Sequence, residues 1–476
     1  MPSCEVGLIG LAVMGQNLVL NMAGHKFRVA VFNRTTETAR KFMRERAYGL
    51  PIEMGETLAE FAALLKKPRN ILLMVKAGKP VDDMIEQLLP IVEPGDLIAD
   101  CGNSFFKDTE RRAGELGSRG LLYMGVGVSG GEEGALKGPS IMPGGMPEGW
   151  PRLLPVFEAV AAGTKDGPCV SYIGPGGAGH YVKMAHNGLE YGDMELIAES
   201  YDILKEIGGW DSDALSRIFS RYNQGALNSY LIEITSILLK EKDPETKKSL
   251  VEIILDQAGQ KGTGLWVSAN ALELGEPAPT ISAAVEARNL SAKKSERLEA
   301  EKIFASKRRA PEFAGKLAAA VEKALYLSRL SLYSQGMSLL RRASEEYNYN
   351  LNLPELARVW KGGCIIRSAL LDVIRRSFAQ NPGLKNLLLA PQVAGAMKKN
   401  QEVWRKVLQA AIARGIPCPA HLSALSYFDG YRKGRLPANL IQAQRDYFGA
   451  HSFERSDKPG SFHHRWPSAP EGKKKN

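Results

Sequence analysis

The chain has 476 residues, of which 44% are hydrophobic and 24% are charged, a composition typical of a globular protein with two or three domains. Lysine and arginine exceed aspartate and glutamate by 62 to 52, which gives a net charge of +10. The basic residues are spread along the chain and no nucleic-acid motif accompanies them, so small phosphorylated ligands are favoured over nucleic acid as partners.

The sequence also bears on the compartment. No run of 18 apolar residues occurs, so no membrane span is expected. The first residues lead directly into a short β-like run with a glycine turn, which is not a signal-peptide pattern. The five cysteines are odd in number, far apart and without a Cys-x-x-Cys pair. This usage is typical of reduced thiols, and it predicts a cytoplasmic protein without a cysteine zinc site.

The first 177 residues alternate short apolar runs with helical patterns. This alternation indicates βαβ units and therefore an α/β, Rossmann-type, doubly wound and mostly parallel sheet. The predicted strands are Glu5–Ile9, Arg28–Phe32, Asn70–Val75, Asp96–Asp100, Leu121–Val126 and Cys169–Ile173.

The rest of the chain has a different pattern. The glycine-rich run at 174–179 predicts a domain boundary after residue 177. Residues 178–435 are predicted to form a large all-α domain with long helices at Tyr181–Ile207 and at Pro311–Tyr347, the second beginning with a proline. Residues 436–476 have little periodicity and form an extended C-terminal tail, for which the pattern alone favours disorder.

A dinucleotide motif follows the first predicted strand and opens a helix. It fits G-x-G/A-x-x-G with alanine in the second position, where the small residue admits a pyrophosphate to the helix N-terminus. The motif residues are Gly10, Leu11, Ala12, Val13, Met14 and Gly15.

The end of the second strand determines the choice of cofactor. Enzymes that use NAD usually place an acid here to hold the ribose 2′-hydroxyl. This chain has Asn33, Arg34 and Thr35 instead. A guanidinium binds a 2′-phosphate through charge-assisted hydrogen bonds, so the sequence predicts NADP.

Other predicted strand ends contribute to the same cleft, because ligands of open α/β sheets bind beyond the carboxyl ends of the strands. Backbone N–H groups and a hydroxyl in the last of these segments suit a carboxylate or a hydroxyl-rich substrate. The segments contain Val75, Lys76 and Ala77, then Asn103, then Ser129, Gly130 and Gly131.

Lys183, His186, Asn187, Glu190 and Tyr191 lie at positions i, i+3, i+4, i+7 and i+8, so they share one face of the predicted helix. Apolar residues usually occupy such a stripe. Here it places a base and an acid about 10 Å apart along the helix axis, where they could act on opposite ends of a small substrate. A solvated helix face is the alternative interpretation.

Together these residues resemble the 6-phosphogluconate dehydrogenase family of the pentose phosphate pathway, which lies within the β-hydroxyacid dehydrogenase superfamily. The resemblance covers residue 7 to about residue 456, nearly the whole chain. The matching stretches are GLAVMG, FNRT, VKAG, DCGN, GVSGGEEGA, KGPSIMPGG, KMAHNGLEYGDM, QKGTGLW, KGGCIIRS and QRDYFGAHSFER.

The resemblance implies the oxidative decarboxylation of 6-phosphogluconate to ribulose 5-phosphate and CO₂ with reduction of NADP, without a metal. Lys183 would be the general base, which requires its pKa to fall from about 10.4 towards roughly 7–8. Glu190 would be the acid that protonates C1 of the enediol, which requires a protonated carboxyl. His186, Asn187, Asn103 and the Ser129-Gly130-Gly131 triplet would bind the substrate.

The resemblance also implies how the phosphate end of the substrate is held. In the family the last two of the phosphate-binding positions belong to the partner subunit of an obligate homodimer, whose tail enters the neighbouring active site. This implication replaces the disorder interpretation for residues 436 to about 466. The phosphate-binding residues would be Tyr191, Lys261, Thr263, Arg288, Arg445 and His451.

Two other functions were weighed against this interpretation. Another β-hydroxyacid dehydrogenase, such as one for 3-hydroxyisobutyrate, would have a single short helical domain and would lack the set Lys261, Arg288, Arg445 and His451. A non-catalytic NADP-binding or scaffold protein should have lost Lys183 or Glu190, and both are present.

Overall fold

The computed structural model describes residues 2–260, 262–304, 313 and 316–467. The chain divides into two compact units, Met1–Ala424 and Leu425–Asn476. The domain boundaries predicted after residues 177 and 435 remain predictions. Among the described residues, no helix combines the length and the apolar character that crossing a membrane requires.

The first unit opens with a seven-stranded sheet in the order β3-β2-β1-β4-β5-β6-β7, which is parallel except for β7. Nearly every residue of these strands is buried, as expected for a sheet covered on both faces. The strands are β1 Val6–Ile9, β2 Val29–Phe32, β3 Ile52–Met54, β4 Asn70–Leu73, β5 Leu97–Asp100, β6 Leu122–Ser129 and β7 Ser140–Gly145.

Alternate strand residues enter two separate cores, one on each face of the sheet. Leu8 and Leu72 belong to one core, whereas the adjacent Ile9 and Ile71 belong to the other. The doubly wound prediction is therefore confirmed. The helices of this half are α1 Val13–Gly24, α2 Thr36–Glu45, α3 Leu58–Leu64, α4 Lys79–Leu88, α5 Phe106–Gly117, α6 Gly131–Lys137 and α7 Trp150–Val160.

Three details of the sheet differ from the sequence prediction. The strand predicted at Cys169–Ile173 is wrong, because this segment makes only isolated bridges, such as Val170 with Ile141. The strands β3 and β7 were not predicted. Glycines and a proline weaken the β pattern of β7, and its pairing with β6 comes from a chain reversal that periodicity does not encode. A short hairpin, β8 Gly163–Thr164 and β9 Gly167–Pro168, precedes the glycine-rich run.

The remainder of the first unit is helical around one long central helix, α8 Ala178–Gly208. This helix packs against α12, α13, α15 and the strands β6 and β7. The predicted second long helix begins at Leu317 within the described residues, and its predicted start at Pro311 lies outside them. The helices are α9 Ser212–Tyr222, α10 Tyr230–Lys240, α11 Leu250–Ile253, α12 Thr263–Glu273, α13 Pro279–Ser291, α14 Lys294–Phe304, α15 Leu317–Glu346, α16 Leu353–Val359, α17 Leu370–Gln380 and α18 Pro391–Arg414. The next helix, α19 Pro419–Tyr431, begins in the first unit and ends in the second.

The second unit contains a helix, α20 Ala438–Gly449, and a two-stranded antiparallel hairpin, β10 Phe453–Glu454 and β11 Ser461–Phe462. The buried Asp446 carboxylate organises the unit, since it accepts hydrogen bonds from the backbone N–H groups of Ser452 and His464 and from the Trp466 indole. The tail is therefore ordered through residue 467, whereas its last residues lie outside the described part.

Candidate active site

The dinucleotide motif forms the turn between β1 and α1, and its glycines are required there. Gly10 has φ +105°, and a Cβ at this position would lie 2.4 Å from the Met74 carbonyl oxygen. A Cβ on Gly15 would lie 1.9 Å from the Gly10 oxygen. The Leu11 N–H donates to the Asn33 side-chain oxygen at 2.9 Å, so the turn is tied to the end of β2. The motif thus opens α1 in the manner that a pyrophosphate site requires.

A cleft of about 370 Å³ lies beyond the ends of β1, β2 and β4. Seven of the predicted cofactor residues line it, whereas Leu11, Val13, Met14, Gly15, Ala77 and Asn103 do not. Sequence reasoning missed four residues of α4, although their i, i+3, i+4, i+7 spacing could have indicated a shared face. The predicted lining residues are Gly10, Ala12, Asn33, Arg34, Thr35, Val75 and Lys76, and the missed ones are Pro80, Asp83, Met84 and Gln87.

Arg34, the residue predicted to contact a 2′-phosphate, lines the cleft. Its side chain is exposed at the cleft, and no hydrogen bond or ion pair engages its guanidinium within the described residues. Lys76 brings a second positive charge to the same cleft. The residues present therefore fit a dinucleotide with an additional phosphate.

Substitution of Arg34 by aspartate tests this assignment. We expect the Kd for NADP to rise about 100-fold, or roughly 2.7 kcal/mol, because a charge-assisted contact is replaced by repulsion. The Kd for NAD should change far less, because NAD has no 2′-phosphate. Titration of both dinucleotides against the variant measures the difference, and an equal loss for both would remove Arg34 from this role.

The predicted substrate triplet follows β6. Ser129 is buried at the end of the strand, and Gly130 and Gly131 have φ values of +123° and +64°. A Cβ on Gly130 would also lie 2.7 Å from the Gly363 oxygen, so only glycine fits. Asn103 is exposed in the loop after β5. Its neighbour Gly102 approaches the loop after β4, since a Cβ there would lie 3.0 Å from the Val75 oxygen.

Three glycines allow the central helix α8 to lie directly on the strands. A Cβ on Gly127 of β6 would lie 2.4 Å from the Lys183 Cβ. On the helix side, a Cβ on Gly179 would lie 2.2 Å from the Gly125 oxygen and 2.4 Å from the Met142 oxygen. The close approach brings Lys183 to the end of β6, beside the triplet. This role of the alternating glycines was not predicted from the sequence.

Burial shifts the pKa values of Lys183 and Glu190 in opposite directions. Lys183 is 7% exposed, and burial lowers the pKa of its amine, although the nearby Glu190 and Cys364 oppose this shift. Burial raises the pKa of the Glu190 carboxyl, and the positive charges of Lys183 and Arg288 oppose that shift. The amine therefore tends towards its neutral form and the carboxyl towards its protonated form. Two neighbouring groups whose pKa values are shifted in opposite directions are typical of a general base and a general acid.

His186 connects the triplet to the helix face. Its Nε2 lies 3.3 Å from the Ser129 Oγ, and its Nδ1 lies 3.2 Å from the Asn187 side-chain oxygen and 3.9 Å from the Glu190 carboxylate. Burial lowers the pKa of His186 well below its usual value, and the Lys183 charge adds to the effect. A neutral imidazole therefore forms hydrogen bonds with Ser129 and Asn187, two of the predicted site residues.

Tyr191 and Arg288 form the far end of the site. The Arg288 guanidinium lies 3.5 Å from the centre of the Tyr191 ring. Gly264 of α12 approaches the same ring, where a Cβ would lie 2.7 Å from it, and Thr263 begins α12. The sequence prediction grouped Tyr191, Arg288 and Thr263, whereas Lys261 lies outside the described residues.

Arg445 and His451 belong to the second unit, where they lie close together in the chain. Arg445 is an exposed residue of α20, and its guanidinium contacts the Gln442 side chain at 3.1 Å. His451 follows the helix, and its ring lies 5.9 Å from that of Phe448. Both side chains are exposed in the single chain.

Trp360, a buried residue that packs against His186, was also not predicted from the sequence. The Trp360 ring is fully buried and meets the His186 ring edge-to-face at 5.8 Å. Cys364 is buried, and its thiol donates to the Trp360 carbonyl at 3.0 Å, as expected of a packed thiol. No periodic signal identifies Trp360, because it reaches α8 only through tertiary packing. The part of the chain that the structure describes holds no cluster of three His, Cys, Asp or Glu side chains suited to a metal ion.

The fold and the site together define a dinucleotide-dependent dehydrogenase of the Rossmann type. A parallel sheet presents a cleft at its carboxyl edge, and a buried amine and a half-buried carboxyl on one helix lie beside a second set of strand ends.

Comparison with known proteins identifies the family. Residues 5–174 match the NAD binding domain of 6-phosphogluconate dehydrogenase, and residues 179–466 match the 6-phosphogluconate dehydrogenase C-terminal domain. The chain belongs to the 6-phosphogluconate dehydrogenase family.

Individual relatives are similar over almost their full length. The decarboxylating 6-phosphogluconate dehydrogenase of Synechococcus elongatus is 54% identical over 97% of this chain and 99% of its own. The NADP(+)-dependent decarboxylating enzyme of Bacillus subtilis is 50% identical over 98% and 100%. The structure of Plasmodium falciparum 6-phosphogluconate dehydrogenase, described in its apo form and in complexes with NADP+ and 6-phosphogluconate, superposes with a TM-score of 0.94. It is 44% identical and covers 97% of this chain and 100% of its own.

Proposed function

We propose that this protein oxidises and decarboxylates 6-phosphogluconate to ribulose 5-phosphate and CO₂ while NADP is reduced to NADPH. The observation that carries the proposal is the pair Lys183 and Glu190, a buried amine and a half-buried carboxyl with opposite pKa shifts on one helix. Family membership supports the substrate, and the free Arg34 guanidinium at the cleft supports NADP.

Lys183 begins the reaction as a neutral amine. It takes the proton of the C3 hydroxyl, and NADP, when bound, supplies the acceptor for the hydride that leaves C3. The product is a β-keto acid. The protonated Lys183 then stabilises the negative charge that develops on the C3 oxygen as CO₂ leaves, because an ammonium is strongly attractive in a buried site. Lowering its pKa by burial allows one amine to serve in both forms.

Glu190 completes the reaction by giving its proton to C1 of the enediol. Its raised pKa keeps the proton on the carboxyl until the carbanion equivalent appears. We assign His186 and Asn187 to the hydroxyl groups near the reacting carbons, with Asn103 and the Ser129-Gly130-Gly131 triplet toward the carboxylate.

Substitution of Glu190 by glutamine should lower kcat by about 10²- to 10³-fold, because general acid catalysis is lost.

The decisive assay follows NADPH formation by near-ultraviolet absorbance with 6-phosphogluconate, beside NAD and beside 3-hydroxyisobutyrate. Rapid reduction of NADP with release of CO₂ is the expected result. Turnover of 3-hydroxyisobutyrate alone would instead indicate another β-hydroxyacid dehydrogenase. A folded, NADP-binding protein without turnover would indicate a binding protein.

We further propose that the protein is a cytoplasmic homodimer whose active sites are shared between subunits. Five buried free cysteines agree with a reducing compartment. Large apolar side chains are exposed on helices of the single chain, which a second copy would cover. Examples are Ile237, Leu238, Leu265, Leu272 and Leu290.

Arg445 and His451 of one subunit would then complete the phosphate site of the other, together with Tyr191, Lys261, Thr263 and Arg288. No membrane and no nucleic acid are expected among the partners.

A further inference from the structure

Arg112 is a buried arginine of α5 that lies among three polar groups from different parts of the fold. Its side chain is 1% exposed. We propose that Arg112 is a positioning residue that fixes the loop after β4 and the loop after β5 relative to each other, and so sets the shape of the cofactor cleft. The inference rests on the proposed function of this cleft in binding NADP.

The first anchor is the loop after β4, which contributes Val75 and Lys76 to the cleft. The Arg112 Nη2 donates to the Gly78 carbonyl at 3.1 Å, where the loop ends and α4 begins. Its Nε and Nη2 donate to the two oxygens of Asp82 in the first turn of α4, at 2.8 and 3.1 Å. This two-point contact fixes both the end of the loop and the direction of the helix.

The second anchor is Asp100, the last residue of β5. Its carboxylate is fully buried and lies 3.5 Å from the Arg112 Nη1. The same carboxylate accepts the Gly102 N–H at 3.0 Å and the Ser104 hydroxyl at 2.5 Å. These two residues flank Asn103, so Asp100 holds the turn that carries it.

The two loops also lie close together, since a Cβ on Gly102 would lie 3.0 Å from the Val75 oxygen, which leaves little room for a side chain. One guanidinium thus joins a carbonyl and a carboxylate at the start of α4 to a carboxylate at the end of β5, next to the two loops. The contact between Arg112 and Asp82 also affects the acidity of the carboxyl. The hydrogen bond from Arg112 is the largest influence that lowers the pKa of Asp82, to about 2. A lysine could satisfy only part of this arrangement, because its ammonium lacks the planar fork.

α5 also reaches the catalytic helix. Thr109, one turn before Arg112, forms a hydrogen bond of 2.7 Å with His180 in the first turn of α8. Lys183 follows His180 by three residues. The helix α5, which carries Arg112, therefore contacts both the loop after β4 and α8, the helix that carries Lys183.

The test compares Arg112→Met and Arg112→Lys with the wild-type protein by direct titration of NADP. We expect the Kd for NADP to rise about 10- to 100-fold in Arg112→Met, because displaced loops lose contacts with the dinucleotide, and less in Arg112→Lys. The Kd for 6-phosphogluconate, measured without cofactor, should rise less than the Kd for NADP, because Asn103 is the one assigned substrate residue on these two loops, whereas the residues on α8 keep their own supports.

Arg69→Met is the matched control. Arg69 is also a buried arginine of this sheet, and it forms a 2.7 Å ion pair with Asp96 at the amino ends of β4 and β5, the edge opposite the cleft. Its loss should lower the thermal stability as the loss of Arg112 does, but it should leave the Kd for NADP unchanged.

A rise in the Kd for NADP that is as large in Arg69→Met as in Arg112→Met would overturn the proposal, and so would unchanged NADP binding by folded Arg112 variants. If Arg112→Met does not fold, Arg112→Lys and Asp82→Asn decide by the same criterion, since Asp82→Asn removes the negative charge with which α4 holds both Arg112 and Arg111. Because the titration needs no turnover, a failure of the wild-type protein to oxidise 6-phosphogluconate would refute the proposed function without affecting this result.

Discussion

Replacement of Lys183 by methionine is expected to lower kcat by about 10⁴-fold, because the substitution removes both the general base and the positive charge that stabilises the developing enolate. Methionine has nearly the shape of the lysine stem, so the close contact between Lys183 and Gly127 remains possible. The Kd for NADP should stay near the wild-type value, since Lys183 does not line the cofactor cleft. Steady-state NADPH formation and dinucleotide titration measure the two effects.

Lys205→Met is the matched control on the same helix. Lys205 forms an ion pair with Glu252 at 2.9 Å on the surface, and it lies about 33 Å along the axis from Lys183. Its kcat should remain within about twofold of wild type, since surface ion pairs contribute little. Equal losses in the two variants would point to damage of α8 instead of loss of a base.

The dependence of the rate on pH provides a second signature of the same pair. The lowered pKa of Lys183 should appear on the acid side of the profile, where protonation of the amine removes the base. The raised pKa of Glu190 should appear on the alkaline side, where the carboxyl loses the proton that it must donate. Glu190→Gln should therefore remove the alkaline limb of kcat/KM and leave the acid limb. Retention of both limbs in this variant would assign the alkaline limb to another group.

The second large effect is expected at the C-terminal tail. Arg445→Ala should raise the KM for 6-phosphogluconate by about 10²-fold or more, because a charge-assisted contact with the substrate phosphate is lost, and it should leave NADP binding intact. The substitution is preferable to a chain that ends before Arg445, since such a chain would lack part of α20. Arg432→Ala is the control, because Arg432 pairs with Asp429 on the surface of the same unit.

Mixing the Lys183→Met and Arg445→Ala variants tests whether the site is shared. A dimer of one Lys183→Met chain and one Arg445→Ala chain has one site with both defects and one intact site, provided that Lys183 and Arg445 of a site come from different chains. Random reassociation should then restore about a quarter of the wild-type activity at substrate concentrations near the wild-type KM. If both residues of a site came from one chain, every site would contain a defect and mixing would restore nothing.

How much of this molecule is predictable from its sequence differs among its parts. The strands β1, β2, β4, β5 and β6 follow from short apolar runs, because buried parallel strands must be apolar on both faces. The order of the glycines around Gly10 predicts the cofactor turn, since the close contact of Gly15 with the Gly10 oxygen is local in the chain, whereas the approach of Gly10 to the Met74 oxygen is not. By contrast, β7 lies beside β6 through a reversal that leaves no periodic mark, and Cys169–Ile173 has a strand-like composition without a full partner.

The helix face at Lys183 illustrates the same division within the site. The sequence alone determined which side chains share this face, because helical geometry fixes their spacing, and it determined the family through long matching motifs. Only the tertiary structure decided that the face is buried on glycines of β6, that His186 meets Ser129 and Trp360, and that Arg112 joins two cofactor loops. The physical reason is that pKa shifts and loop positions depend on burial and on partners distant in the chain, which local periodicity cannot specify.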